Sequence, residues 1–259
     1  MRTLTRLGMI GSVVTVMLLP RTVGAQAINP NPGAAGEVSC DPTVKRSGLD
    51  QAAAALKAGD YATAVRELRP LAEQGDPWAQ GYLAVLYAHG HGVPQDDTEA
   101  AKWYRRAAEQ GHAVGQYQLG LYYAEGRGGV PRDDTQAVKW YRQAADQGVA
   151  SAQTNLGFMY AEGRGVQQDD TEAAKWYRRA ADQGQALAQL NLGGLYLAGR
   201  GVPQDFVLAH MWSNLAAAQL TGDKRDHAVR VRDFLARRMT DVQWAEAQRR
   251  AREWKPRPE

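Results

Sequence analysis

Asp169–Gly184 reads DDTEAAKWYRRAADQG, and the chain repeats it. Asp96–Gly111 is DDTEAAKWYRRAAEQG, Asp133–Gly148 is DDTQAVKWYRQAADQG, and Asp205–Leu220 (DFVLAHMWSNLAAAQL) is a degraded copy. The closing glycines fall at Gly75, Gly111, Gly148 and Gly184, which sets periods of 36, 37 and 36 residues. A fixed period of this size predicts an all-α solenoid of stacked helix pairs, each repeat burying its apolar face against its neighbours.

Working outward, a less faithful A helix precedes each B-helix copy. In the first repeat Asp76 is placed to cap it and Pro77 fits its first position. Gly90-His91-Gly92 ends it. Asp96 with Glu99, Asp133 with Gln136 and Asp169 with Glu172 read as capping boxes opening the B helices. Ala100, Trp103, Tyr104, Ala107 and Ala108, with their counterparts one period on, make one wide apolar face. Leu83, Leu119, Leu156 and Leu192 contribute from the A helices, beside Ala84, Gly120, Gly157 and Gly193, which are small enough for close helix approach. Lys102, Arg105, Arg106 and Glu109 are expected to face water. Repeat two carries one extra glycine around Gly126-Arg127-Gly128-Gly129, which accounts for its 37 residues.

Four repeats are therefore expected at 76–111, 112–148, 149–184 and 185–220. A helix pair at 49–75 opens the array, with Ala62, Val65, Leu68 and Leu71 as its buried stripe. Residues 221–259 read as capping helices. Val229, Val231, Phe234 and Leu235 form the inner face of one, and Trp244, Ala247 and Ala251 that of the last, which Thr240 and Gln243 begin. Residues 26–48, rich in Pro, Gly and small side chains, read as a flexible lead-in.

Residues 1–25 have the form of a secretory signal. Arg2 and Arg6 precede a mostly apolar run from Leu7 to Pro20, and Val23-Gly24-Ala25 supplies small residues for cleavage. The run is short for a membrane span, which needs about 20 residues; an uncleaved anchor is the alternative. The expected location is periplasmic or secreted, with no stable membrane insertion after cleavage. The net charge of +3 invites a nucleic-acid reading. Without Arg2, Arg6 and Arg21, however, 28 basic residues balance 28 acidic ones, so no nucleic-acid partner is expected. The single cysteine, Cys40, cannot close an internal disulfide.

The repeated residues resemble the Sel1-like repeat family, a relative of the tetratricopeptide repeats. The resemblance rests on Ala152, Gln153, Leu156, Gly157 and Tyr160, and on the turn Gly163, Gly165 and Val166. Asp170, Ala174, Trp176, Tyr177, Ala180, Ala181 and Gly184 complete it. It implies a right-handed superhelix of antiparallel helix pairs used in protein–protein interaction. Two departures stand out. Repeat one has Ala84 where the others have glycine, and repeat four has Phe206 and Leu208 where polar residues belong. The chain also lacks the paired cysteines of the family's disulfide-bonded secreted branch.

Positions that repeat hold the frame; positions that vary along one face are candidates for recognition. On the A helices these run i, i+4, i+7, i+11. They are Trp78, Tyr82, Val85 and His89; Val114, Gln118, Leu121 and Glu125; Ser151, Asn155, Phe158 and Glu162; and Leu187, Asn191 and Gly194. The expectation is a concave groove binding a protein or peptide, with aromatic anchors, or else an apolar set that packs between repeats. No catalytic residue, metal or cofactor is expected. His89, His91 and His112 lack a completing ligand, the Asp pairs fit helix caps, and Gly126–Gly129 follows a helix and lacks a phosphate loop's ending. An interaction scaffold is thus the first reading. A cell-envelope hydrolase acting on peptidoglycan or a β-lactam, and a membrane-tethered regulator, are the alternatives.

Overall fold

The computed structural model describes residues 42–257, with side chains from Gly48 onward. The expected signal, most of the lead-in and Cys40 lie outside the described residues. Those that are described form twelve helices: α1 (Pro42–Ala58), α2 (Tyr61–Glu73), α3 (Pro77–His89), α4 (Asp97–Glu109), α5 (Ala113–Glu125), α6 (Asp134–Asp146), α7 (Ala150–Glu162), α8 (Asp170–Asp182), α9 (Ala186–Ala198), α10 (Phe206–Gln219), α11 (Gly222–Ala236) and α12 (Asp241–Glu253). The first helix begins at Pro42, so it takes in the end of the expected lead-in. The chain divides into two compact units, one ending at Ala180 and the other beginning at Ala181.

In the first unit α1 packs on α2, α3 on α4 and α5 on α6, and α2, α4 and α6 then pack on α3, α5 and α7. Leu83, Leu119 and Leu156 are fully buried, as are Ala100, Ala137, Ala173 and their neighbours on the B helices. Tyr104, Tyr141 and Tyr177 fill the core beside the small residues. A Cβ on Gly120 would lie 2.7 Å from the Tyr141 ring, and one on Gly157 2.8 Å from the Tyr177 ring. In α2 the buried set is Ala64, Val65, Leu68, Leu71 and Ala72. Ala62, expected inside, is exposed, because the stripe centres one turn face away from it.

Aspartates cap the B helices as expected. Asp96 Oδ1 accepts from Thr98 and Glu99, Asp133 from Gln136, and Asp169 from Thr171 and Glu172. The reciprocal half of the expected capping box is not formed there. The Asp96, Asp133 and Asp169 backbone N–H groups donate instead to the carbonyls of Tyr87, Tyr123 and Tyr160 at the ends of the A helices. Glu99 and Glu172, released from that duty, pair with Lys102 and Lys175 at 2.6 Å. The full box appears at Thr240 and Gln243, which begin α12.

Two further ties join successive repeats. The second aspartate of the first two pairs receives the turn arginine of the next repeat: Arg127 reaches Asp97 at 2.8 Å and Arg164 reaches Asp134 at 2.7 Å. The Tyr122 hydroxyl also donates to Asp97 at 3.0 Å. This pairing holds the Asp134 carboxyl below its usual range, chiefly through the Arg164 hydrogen bonds. In the first turn His91 stands where the arginine stands, and its ring stacks on Tyr61 at 4.4 Å. The turns approach closely enough to demand glycine. At Gly128 φ is +61° and an added Cβ would lie 2.2 Å from the Asp97 carbonyl oxygen; at Gly165 φ is +65° and the same 2.2 Å separates it from the Asp134 carbonyl.

The second tie is a buried glutamine relay. Gln80, Gln116 and Gln153 donate to the carbonyls of Ala72, Ala108 and Ala145 at the preceding B-helix ends. Gln80 and Gln116 accept in turn, at 2.7 Å, from Gln110 and Gln147 of the following B-helix ends. A buried amide with both ends satisfied stabilises, whereas the same amide with a missing partner costs.

In the second unit α9 packs on α10, and α10 on α11 and α12. Gln189 continues the relay, accepting from Gln219 and donating to Ala181. Ala228, Val231 and Leu235 are the buried residues of α11; Phe234 is exposed and lies under Arg238 at 3.7 Å. In α12 Ala247 is buried but Trp244 is 47% exposed. The aromatic that reaches inward is Trp254, edge-on to Trp212 at 6.1 Å. Ala247, Ala251 and Trp254 follow the i, i+4, i+7 line, which leaves Trp244 at its margin.

Candidate functional site

On α3 the residues flanking the varying positions are buried: Ala79, Gln80, Gly81, Leu83, Ala84, Leu86 and Ala88. Trp78 and His89 are exposed, and Tyr82 and Val85 half-buried against the core. The same division holds on α5, where Val114 and Glu125 are exposed and Gln118 and Leu121 half-buried, and on α7, where Ser151, Asn155 and Phe158 are half-buried and Glu162 is exposed. The sequence-derived stripe is thus the accessible face of each A helix. In the second unit, Leu187, Asn191 and Gly194 are half-buried on α9.

The A-helix faces of the first unit adjoin. The Trp78 ring meets the His112 ring edge-on at 4.6 Å. Ser151 and Asn155 of α7 stand beside the Tyr117 hydroxyl of α5. Asn155 also lies near Tyr141, whose hydroxyl burial raises well above the usual tyrosine pKa. Asn155 is therefore partly a packing residue. Phe158 lies beneath Arg164 at 5.7 Å. Gln118 makes no side-chain hydrogen bond among the described residues and is free to meet a ligand. Tyr82 has its phenol pushed up by burial.

His112 is the most perturbed histidine of this surface. Burial lowers its pKa to about 4, against a small opposing effect of Asp76. Its Nδ1 accepts from the Gly115 N–H at 3.1 Å and so caps α5, which makes the neutral form the natural one. His89 bonds the Val85 carbonyl through Nδ1 at 2.9 Å and stacks on His91 at 5.6 Å. Among the described residues no cluster of three or more His, Cys, Asp or Glu is arranged to hold a metal ion. The sequence alone reads the Asp pairs as caps and, of the relay glutamines, singles out only Gln153, within the resemblance. The signal for both was their recurrence: Gln80, Gln116, Gln153 and Gln189 keep a polar residue in the middle of an apolar face.

The Sel1 repeat family matches four consecutive segments, 79–112, 113–149, 150–185 and 186–219. The chain belongs to the Sel1 repeat family. Sel1 repeat proteins are generally scaffolds for protein interaction. The structure of a Sel1 repeat protein from Oxalobacter formigenes superposes with a TM-score of 0.62 at 32% identity, over 76% of this chain and 86% of that one. Two exopolysaccharide production negative regulators also match. That of Rhizobium meliloti (strain 1021) is 34% identical over 114 residues, 42% of this chain and 41% of its own length. That of Rhizobium leguminosarum bv. viciae is 41% identical over 68 residues, 26% of each. The chain thus spans well under half the length of these regulators in the matched segments. Among the described residues no helix is long and apolar enough to cross a membrane.

Proposed function

We propose that this Sel1 repeat chain is an exported, non-enzymatic scaffold that binds a protein or peptide along the A-helix faces of its first unit. The observation that carries this is the division of labour on α3, α5 and α7. The repeated side chains are consumed by caps, relay and core, while the varying ones form the accessible faces that adjoin at Trp78–His112 and Tyr117–Asn155. Trp78 and Phe158 supply anchors of the type that dominates binding energy, and Gln118 supplies an uncommitted amide. Similarity to two negative regulators of exopolysaccharide production favours a regulatory use of the array.

The test uses Trp78→Ala, Gln118→Ala and Glu162→Ala together, since Asn155 and Tyr82 also serve packing. The triple variant keeps its helical content and loses the partner that the unaltered protein retains on affinity capture; retained capture refutes the assignment. Export is tested by the N-terminal sequence of the mature chain, expected to begin at Gln26 or, after a second small-residue site at Ala25-Gln26-Ala27, at Ile28.

A further inference from the structure

A second surface lies on the B helix of repeat one, where the turn of repeat two meets it. A cavity of about 480 Å³ opens between α4 and the turn that follows α5. Ala101 and Val130 line it together with Gly128 and Gly129, and Lys102, Arg105 and Arg106 stand over it, with Glu109 as its one acid. The arginines are held in place without being neutralised. Arg105 donates to the Tyr123 hydroxyl at 3.1 Å, and Arg106 lies over the Trp103 ring at 4.6 Å. Neither is in an ion pair among the described residues, whereas Lys102 is paired with Glu99.

The cavity coincides with the one irregularity of the period. Gly129 is the residue by which repeat two exceeds its neighbours; its φ is +73°, and an added Cβ there would meet nothing within 4 Å. The corresponding face of α6 carries Lys139 and Arg142 but has Gln143 in place of Arg106, and the turn after α7 lacks the inserted glycine. The features that distinguish the junction of repeats one and two from that of repeats two and three therefore fall together: open space and an extra guanidinium.

We propose that this cavity is a binding site for a small polyanion, a ligand presenting two or more carboxylate or phosphate groups. Guanidinium groups match both oxyanions bidentately, and arginines already oriented by a hydroxyl and an indole lose less freedom on binding than mobile ones.

The test is calorimetric titration of the whole protein, at low salt, with inorganic pyrophosphate, propane-1,2,3-tricarboxylate and a tetraglutamate peptide. At least one saturates, and which one does separates a phosphate from a carboxylate or acidic-peptide source. Arg106→Gln and Arg105→Gln each weaken it about tenfold, the range of a charge-assisted pair. Deletion of Gly129, which restores the 36-residue period while keeping every charge, weakens it as much; circular dichroism verifies its fold. Arg179→Gln, at the matching place on α8 over Trp176 at 5.0 Å, leaves it unchanged. Saturation by none of the three probes, or equal weakening by Arg179→Gln, overturns the proposal.

Discussion

Replacing Gly128 and Gly129 by alanine, one at a time, probes how the repeats are held in register. Both glycines have positive φ, +61° and +73°, so each substitution carries the left-handed penalty of about 1–2 kcal/mol. They differ in what the new methyl meets. At Gly129 there is nothing within 4 Å. At Gly128 the Cβ would stand 2.2 Å from the Asp97 carbonyl oxygen and 2.9 Å from the Tyr122 ring. The first contact is with backbone, so relief requires the turn and α4 to move apart by about 1 Å, an overpacking cost of about 1–3 kcal/mol. That movement also loosens the pair of Arg127 with Asp97 and the Tyr122–Asp97 hydrogen bond, which close the same junction. Gly128→Ala is therefore expected to lose about 2–5 kcal/mol and Gly129→Ala about 1–2 kcal/mol. Urea titration followed by circular dichroism reads both from the shift in midpoint. Losses within about 0.5 kcal/mol of each other, the scatter of ordinary surface changes, would refute the close-approach argument and leave only backbone conformation.

Three other perturbations test separate parts of the account. Gln116→Leu strands the Ala108 carbonyl and removes the acceptor of Gln147, for a loss of about 1–3 kcal/mol by urea titration; Gln118→Leu, two positions along, changes stability by less than about 0.5 kcal/mol. His112 has a folded pKa of about 4 against 6.5 unfolded. The unfolded chain therefore takes up the proton first, and the stability that neutral His112 preserves is complete above pH 6.5 and lost as pH falls towards 4. Partial exposure limits the loss to about 2–3 kcal/mol, and His112→Gln is expected to flatten that window in a pH series of midpoints. Arg164→Lys is expected to lose about 1 kcal/mol despite keeping the charge, because the two contacts to Asp134 need the guanidinium fork; a lysine as stable as arginine would contradict this.

The sequence made the frame legible because the frame repeats. Caps at Asp96, Asp133 and Asp169, the glycine turns and the buried Leu and Tyr positions each recur at one period, so local chemistry and spacing agree. The capping boxes were misjudged because the donor they need is taken by a tertiary partner, the Tyr87, Tyr123 or Tyr160 carbonyl. The roles of Asp97, Asp134 and the relay glutamines depend likewise on partners in another helix, eight to about thirty residues away, where spacing within one helix gives no hint. Past Leu220 repetition ends, and with it the means of fixing helix rotation. Amphipathicity places Trp244 and Phe234 inside, whereas Trp254, beyond the last helical turn, fills the position against Trp212. The candidate stripe was found by the opposite signal, variation against a constant frame, and the structure places it on the accessible faces.

The most direct test of that stripe is a photo-crosslinking map. A photoreactive side chain is introduced singly at Trp78, Gln118 and Glu162 on the A helices, and at Lys139 and Lys175 on the B helices, in cells that produce the protein. The account predicts one shared adduct from the three A-helix positions and its absence from the two B-helix positions. Adducts confined to Lys139 and Lys175 would contradict it.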